Sequence, residues 1–233
     1  LKLTGSIDMA DYDFMRDKMT SLMRLNLKEV ESKIDGVYKI PLSAFHEKTT
    51  LIKCVLPDKL ERIEDDAFTA TSLTGTVQLP EGLKYVAGFG GTKITNVQFP
   101  STLEEIGLGA FIDCTSLMFE ISLPASLNKI GGAAFQNSAI KGNLALPEGL
   151  ESIGSDWWNG GGTFEGCSGL TGSLTIPNGI KIVNSRSFRG CGFTGNLTLP
   201  MGLTEIQSFA FGGTQFKGEL NIPSTVTIIG DNA

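Results

Sequence analysis

One histidine, two tryptophans and four cysteines are spread over 233 residues. So little histidine leaves few ways to build an acid–base or zinc site, and no C-x-x-C spacing occurs. Four cysteines at this length are too sparse for a disulfide framework. Basic clusters that would track phosphates are missing: 19 Lys and Arg stand against 25 Asp and Glu, for a net charge of -6. That speaks against nucleic acid as a partner. No apolar run approaches the roughly 20 residues of a membrane span. The G-x-S-x-G, H-E-x-x-H and phosphate-loop patterns are absent. His46 reads as a surface residue, and the pairs Asp65-Asp66 and Glu104-Glu105 as solvent-facing. No enzyme activity, cofactor or metal is expected. The chain opens at Leu1 without an initiator Met or leader, so the expectation is a piece of a longer protein.

What is present is a repeat. All nine prolines, Pro41, Pro57, Pro80, Pro100, Pro124, Pro147, Pro177, Pro200 and Pro223, follow short apolar runs, at separations of 16, 23, 20, 24, 23, 30, 23 and 23 residues. A phenylalanine series runs alongside: Phe45, Phe68, Phe89, Phe111, Phe135, Phe164, Phe188 and Phe211. The residue before each is small, from Ala44 and Ala67 to Ser187 and Ala210. A period near 23 predicts a solenoid of stacked units.

Before each proline, apolar residues alternate with polar ones, as Leu174 and Ile176 do with Ser173 and Thr175. That is the pattern of a half-buried strand. Such short strands are stable only when stacked in parallel, each supplying the next with hydrogen-bond partners. Proline lacks the N–H for the next ladder bond and ends the strand. Gly82, Gly149, Gly179 and Gly202 follow two residues later, which suggests a type I turn with proline second and glycine fourth. Two further inward columns come after it, Leu60 to Val226 and Ile63 to Ile229. The small-Phe step closes the far side, in a turn of helix or 3₁₀ at most.

The first 34 residues differ. Tyr12, Met15, Met19 and Met23 share one face of a helix predicted over Met9 to Met19, and Leu22-x-x-Leu25-x-Leu27 repeats the strand pattern. Residues 1–34 are therefore predicted to form a cap that supplies a first strand, and 35–233 an array of about eight units. The last unit stops at Gly230-Asp231-Asn232-Ala233, where the pattern should continue to Ala-Phe, and reads as truncated. Cys114, Cys167 and Cys191 each lie three residues after a ladder Phe and should form one column. Cys167 and Cys191, on adjacent turns, are close enough to approach; the plainer reading is buried free thiols.

The pattern L-x-x-(x)-L-x-L-P-x-x-L-x-x-I-x-x-x-A-F-x-x-C, seen in Pro100 to Cys114 and Pro177 to Cys191, resembles the leucine-rich repeats of the BspA-like family over about residues 40–233. The opening Leu3-Thr-Gly-Ser-Ile-Asp8 is similar to the leading segment of such proteins from gut Bacteroides. The resemblance implies a right-handed superhelix with one parallel sheet of about nine short strands, and turns and short helical segments opposite. It also implies an exported, surface-associated, monomeric binding protein. Its expected partner is a host or bacterial surface protein, or a glycan. The departures are the Gly88-Phe89-Gly90-Gly91 unit, the shortened Pro41 unit and one enlarged unit.

That enlarged unit holds both tryptophans, in Asp156-Trp157-Trp158-Asn159, and insertions in solenoids often carry binding. The alternative is that a Trp fills the core. The outward strand positions are the second candidate, above all Asn143, Ser173, Thr175, Asn196, Thr198 and Asn221. Small hydroxyl and amide groups there suit hydrogen bonding to an extended peptide or a sugar, or else form ladders that hold the strands together. Three functions remain open: an adhesin-like protein-binding module, a carbohydrate-binding component of a glycan-capture system, and a spacer for another domain.

Overall fold

The computed structural model describes residues 1–154 and 161–233; Asp156, Trp157, Trp158 and Asn159 lie outside the described residues. The chain is a parallel β-solenoid with one helix among those residues. At the N-terminal end, β1 (Lys2–Ser6) leads into α1 (Met9–Asp17) and β2 (Arg24–Glu31). Asp8 starts the helix: its carboxylate accepts from the N–H groups of Ala10 and Asp11, and Asp11 accepts from the Asp8 N–H, a capping box. Tyr12 and Met15 are buried beneath it, with Met19 partly so; Met23, expected on the same face, is exposed. β1 pairs in parallel with β2, and β2 with Lys53–Val55.

Strands form two kinds of ladder, one before the prolines and one after them. Before the prolines, Thr74–Gln78 pairs with Lys93–Gln98, Lys141–Asn143 with Gly169–Thr171, and Leu174–Thr175 with Leu197–Thr198. The longer ladder lies after the prolines. Two-residue strands such as Arg62–Ile63, Tyr85–Val86, Glu105–Ile106, Lys129–Ile130 and Ser152–Ile153 belong to a seven-stranded sheet, and Ile182–Val183, Glu205–Ile206 and Ile228–Ile229 continue it as three strands. The column Ile63 to Ile229, expected only as core, is thus also a strand column. It stays in register because a fixed tight turn precedes it, while the stretch before each proline varies in length. One antiparallel hairpin begins this sheet: Lys33–Ile34 pairs with Val37–Ile40 around Asp35 and Gly36, both at positive φ.

The turn itself differs from the expected one. The N–H groups of Leu83, Leu103, Leu127, Leu150, Ile180 and Leu203 donate to the carbonyls of Pro80, Pro100, Pro124, Pro147, Pro177 and Pro200 at 3.0–3.3 Å. Proline is therefore the first residue of the turn and glycine the third. Only Gly82 of these glycines has a positive φ. At Gly179 the reason for glycine is close approach, since a Cβ would strike the Leu150 carbonyl.

The Phe side is a run of overlapping tight turns. Each ladder Phe from Phe45 to Phe188 donates its N–H to the carbonyl of the small residue before the next ladder Phe, at 2.7–2.8 Å. This is why that residue is small. The rings stack 5.1–5.6 Å apart at 4–19° from Phe45 to Phe211. Tyr12 meets the first ring edge-on at 5.7 Å.

Candidate functional site

The core columns leave the outward strand positions as the main polar surface that the repeat presents. Ser173, Thr175, Asn196, Thr198 and Asn221 are all exposed, as is Asn143. Alternation places Ser173 and Thr175 there, because Leu174 and Ile176 point inward; Asn221 is exposed in a stretch without a strand, where the expected inward pair Leu220 and Ile222 is itself about half exposed. Thr175 and Thr198 are direct register partners, and Asn143 pairs with Thr171. The Ser173 hydroxyl accepts from the Asn196 N–H at 2.9 Å, so this oxygen also joins two turns. Asn143 lies over Gly172 of the next turn, and Asn196 over Gly218, where an added Cβ would meet the amide oxygen. The amides therefore lean along the solenoid axis rather than straight out. Further toward the N-terminus the same face continues as Thr76 beside Asn96 and Gln78 beside Gln98. From Thr171 to Thr198 the outward strand residues carry no charge. The face offers hydroxyls and amides at a regular spacing.

Thiol chemistry has no support in the geometry. Cys114, Cys167 and Cys191 form the expected column, and each S–H donates to a ladder Phe carbonyl one turn back: Phe89, Phe135 and Phe164, at 3.0–3.1 Å. All four cysteines are free. Burial pushes the Cys114 and Cys167 thiols up to about 11, that of Cys54 up to about 12, and that of Cys191 up as well. A nucleophilic cysteine needs the opposite shift. Thr71, Thr92 and Thr214 occupy the same column and bond the Phe68, Phe89 and Phe211 carbonyls of their own turns.

A polar cleft of about 540 Å³ lies where α1 meets the first repeat, lined by Arg16, His46 and Lys48 among others. His46, expected on the open surface, is half-buried there. Arg16 is held by Asp13 and Asp17 at 2.9 and 2.8 Å, and the Lys48 amine donates to the Arg16 carbonyl. The cations of the cleft are thus already engaged. Sequence reasoning also missed the nearly buried carboxylate of Glu165, which takes Arg189 at 2.7 Å and the Gly162 N–H at 3.2 Å. Among the described residues no three His, Cys, Asp or Glu side chains converge to hold a metal. No described helix is long and apolar enough to cross a membrane.

The model of the BspA type leucine rich repeat region matches six copies in this chain, over residues 38–161 and 160–233. The chain belongs to that family. No curated protein matches it. Among solved structures it is similar to the pneumococcal vaccine antigen PcpA, at 24% identity and a TM-score of 0.58, covering 90% of this chain and 58% of that one. It is also similar to the leucine rich repeat protein TpLRR of T. pallidum, at 24% identity and a TM-score of 0.48, covering 90% and 74%. A leucine rich cell surface protein of Faecalibacterium prausnitzii matches at 18% identity and a TM-score of 0.47, covering 97% and 64%. The PcpA match shows the fold.

Proposed function

We propose that this BspA-type solenoid is an extracellular, non-enzymatic binding module that holds a protein partner along its outward strand face. The observation that carries the reading is the uncharged patch of Ser173, Thr175, Asn196 and Thr198, with Thr175 and Thr198 in register across two turns. Solenoid repeats create extended binding surfaces of this kind. Hydroxyls and amides a strand spacing apart match the main-chain groups or polar side chains of an extended partner segment. The extracellular placement rests on the family.

The test is biolayer interferometry of the 233-residue chain against immobilised fibronectin, fibrinogen and laminin, beside a panel of plant and host polysaccharides. Both threonines are exposed, so Thr175→Arg/Thr198→Arg should fold normally. A protein hit weakened at least tenfold in that variant supports the reading. A hit indifferent to the variant, or saturable binding to polysaccharide alone, overturns it.

A further inference from the structure

The departure at Gly88-Phe89-Gly90-Gly91 has a structural consequence on the turn side of the solenoid. In this unit Phe89 follows its proline by nine residues, against eleven from Pro100 to Phe111. Glycine flanks the ring on both sides. Gly88 lines a groove of about 560 Å³, with Asp65 and Asp66 on the preceding turn, Leu108 and Ile112 on the following one, and Gln136 and Arg186 further along. Leu42, one turn before the acidic pair, extends it and is 60% exposed. Neither glycine admits a side chain: a Cβ at Gly88 would strike the backbone of the preceding turn, and one at Gly90 would meet Ile112 Cγ2 at 2.7 Å.

Charge is distributed unevenly along this groove. Asp65 accepts from the Tyr85 hydroxyl at 2.7 Å, and Asp66 is held at a φ of 54°. Neither carboxylate is in an ion pair among the described residues. Arg62, a cation of the same turn, is taken by Glu64 at 3.0 Å and by the Tyr85 ring at 4.0 Å. Asp65 and Asp66 lie between Leu42 on one side and Leu108 and Ile112 on the other, while Arg186 lines the groove five turns further along. Adjacent turns lie 5.1–5.6 Å apart at the Phe rings. The four turns from Leu42 to Ile112, three spacings apart, thus span about 16 Å, roughly five residues of extended chain.

We propose that this groove binds a short extended segment of a partner protein in which one lysine or arginine is flanked on both sides by apolar residues. The cation meets Asp65 and Asp66, and the apolar neighbours cover Leu42 and the Leu108–Ile112 wall. The site shares no residue with the outward strand face.

The probe is a fluorescein-labelled nonapeptide library with a fixed central lysine and randomised Leu, Ile or Val on either side, read by fluorescence anisotropy with the 233-residue chain. A matched library carries glutamate at the centre. Lysine members should bind at least tenfold more tightly than their glutamate counterparts. Leu42→Glu, at an exposed position, should weaken binding at least tenfold while the melting curve stays in place. Asp65→Asn/Asp66→Asn should remove the preference for lysine. The inference is overturned by a lysine library with no binder, by equal binding of both libraries, or by indifference to Leu42→Glu. Loss of peptide binding in Thr175→Arg/Thr198→Arg also overturns it, because the peptide would then lie on the strand face.

Discussion

Asn184 donates its side-chain amide to the Ile153 carbonyl at 2.8 Å. In neighbouring turns that carbonyl position is served by backbone: Gly131 N–H to Ile106, Gly154 N–H to Ile130, Gln207 N–H to Val183, all at 2.8–2.9 Å. The enlarged unit between Pro147 and Pro177 interrupts the two-residue strand ladder at this point, and the ladder resumes at Ile182–Val183. The side-chain amide stands in for the missing backbone donor. Asn184→Leu leaves the half-buried carbonyl without it, which should cost about 1–3 kcal/mol. Asn184→Gln, with a longer side chain, should recover only part. Urea denaturation of both variants checks this, and a cost below about 0.5 kcal/mol for Asn184→Leu would show that the interruption needs no bridge.

Lys48 occupies the column that holds Thr71, Thr92, Cys114, Ser138, Cys167, Cys191 and Thr214 elsewhere, three residues after a ladder Phe. It is 7% exposed, and its amine donates to the Arg16 carbonyl at 2.9 Å. Arg16 lies in the last turn of α1, where carbonyls lack helical partners and a cation is favoured. Lys48 therefore ties α1 to the repeat array. Lys48→Met should destabilise the protein by about 1–2 kcal/mol. The pH dependence has a definite sign. Burial lowers the Lys48 pKa, so the unfolded chain holds that proton more tightly. Stability from this group rises with pH toward about 10, the ordinary lysine range. Thermal melts from pH 8 to 10 should show that rise in the wild type and a flatter profile in Lys48→Met.

The periodic features were legible from residues alone. Proline spacing and the small-Phe step are set by backbone chemistry that every turn must satisfy, so they survive in each unit. The second strand ladder was not legible, because strands of two residues such as Glu105–Ile106 show no alternation to detect. The turn register was missed for a related reason: Pro at the first or the second position produces the same spacing to glycine. Nothing in the repeat pattern singles out Lys48, because only the approach of α1 gives its amine a carbonyl. The outward direction of Ser173, Thr175 and Thr198 was legible because alternation fixes direction. The groove was visible only as an irregularity at Gly88 and Gly90; that Asp65, Ile112 and Leu42 meet there depends on how turns stack.

Phe111 is stacked on both sides, on Phe89 at 5.6 Å and Phe135 at 5.4 Å, and meets Phe99 edge-on at 5.9 Å. Phe211 stacks on one side, on Phe188 at 5.6 Å, and meets Phe216 edge-on at 6.1 Å. Both rings fill the space that the small residues and the inter-turn N–H bonds create, but Phe211 has only one ladder neighbour. Phe111→Ala removes a ring from the middle of a continuous stack and leaves a cavity that the rigid backbone ladder on that side cannot close. The expected cost is about 3–5 kcal/mol. Phe211→Ala should cost less, by about 1–2 kcal/mol, because fewer packed neighbours lose contact and water reaches that end of the core. Equilibrium denaturation followed by circular dichroism measures both. Stability along a solenoid is a sum of local and nearest-neighbour terms. Phe111→Ala should therefore also broaden the transition by uncoupling the turns on either side, while Phe211→Ala leaves it sharp. Equal costs with equally sharp transitions would mean that the stack contributes only ring burial and does not link one turn to the next.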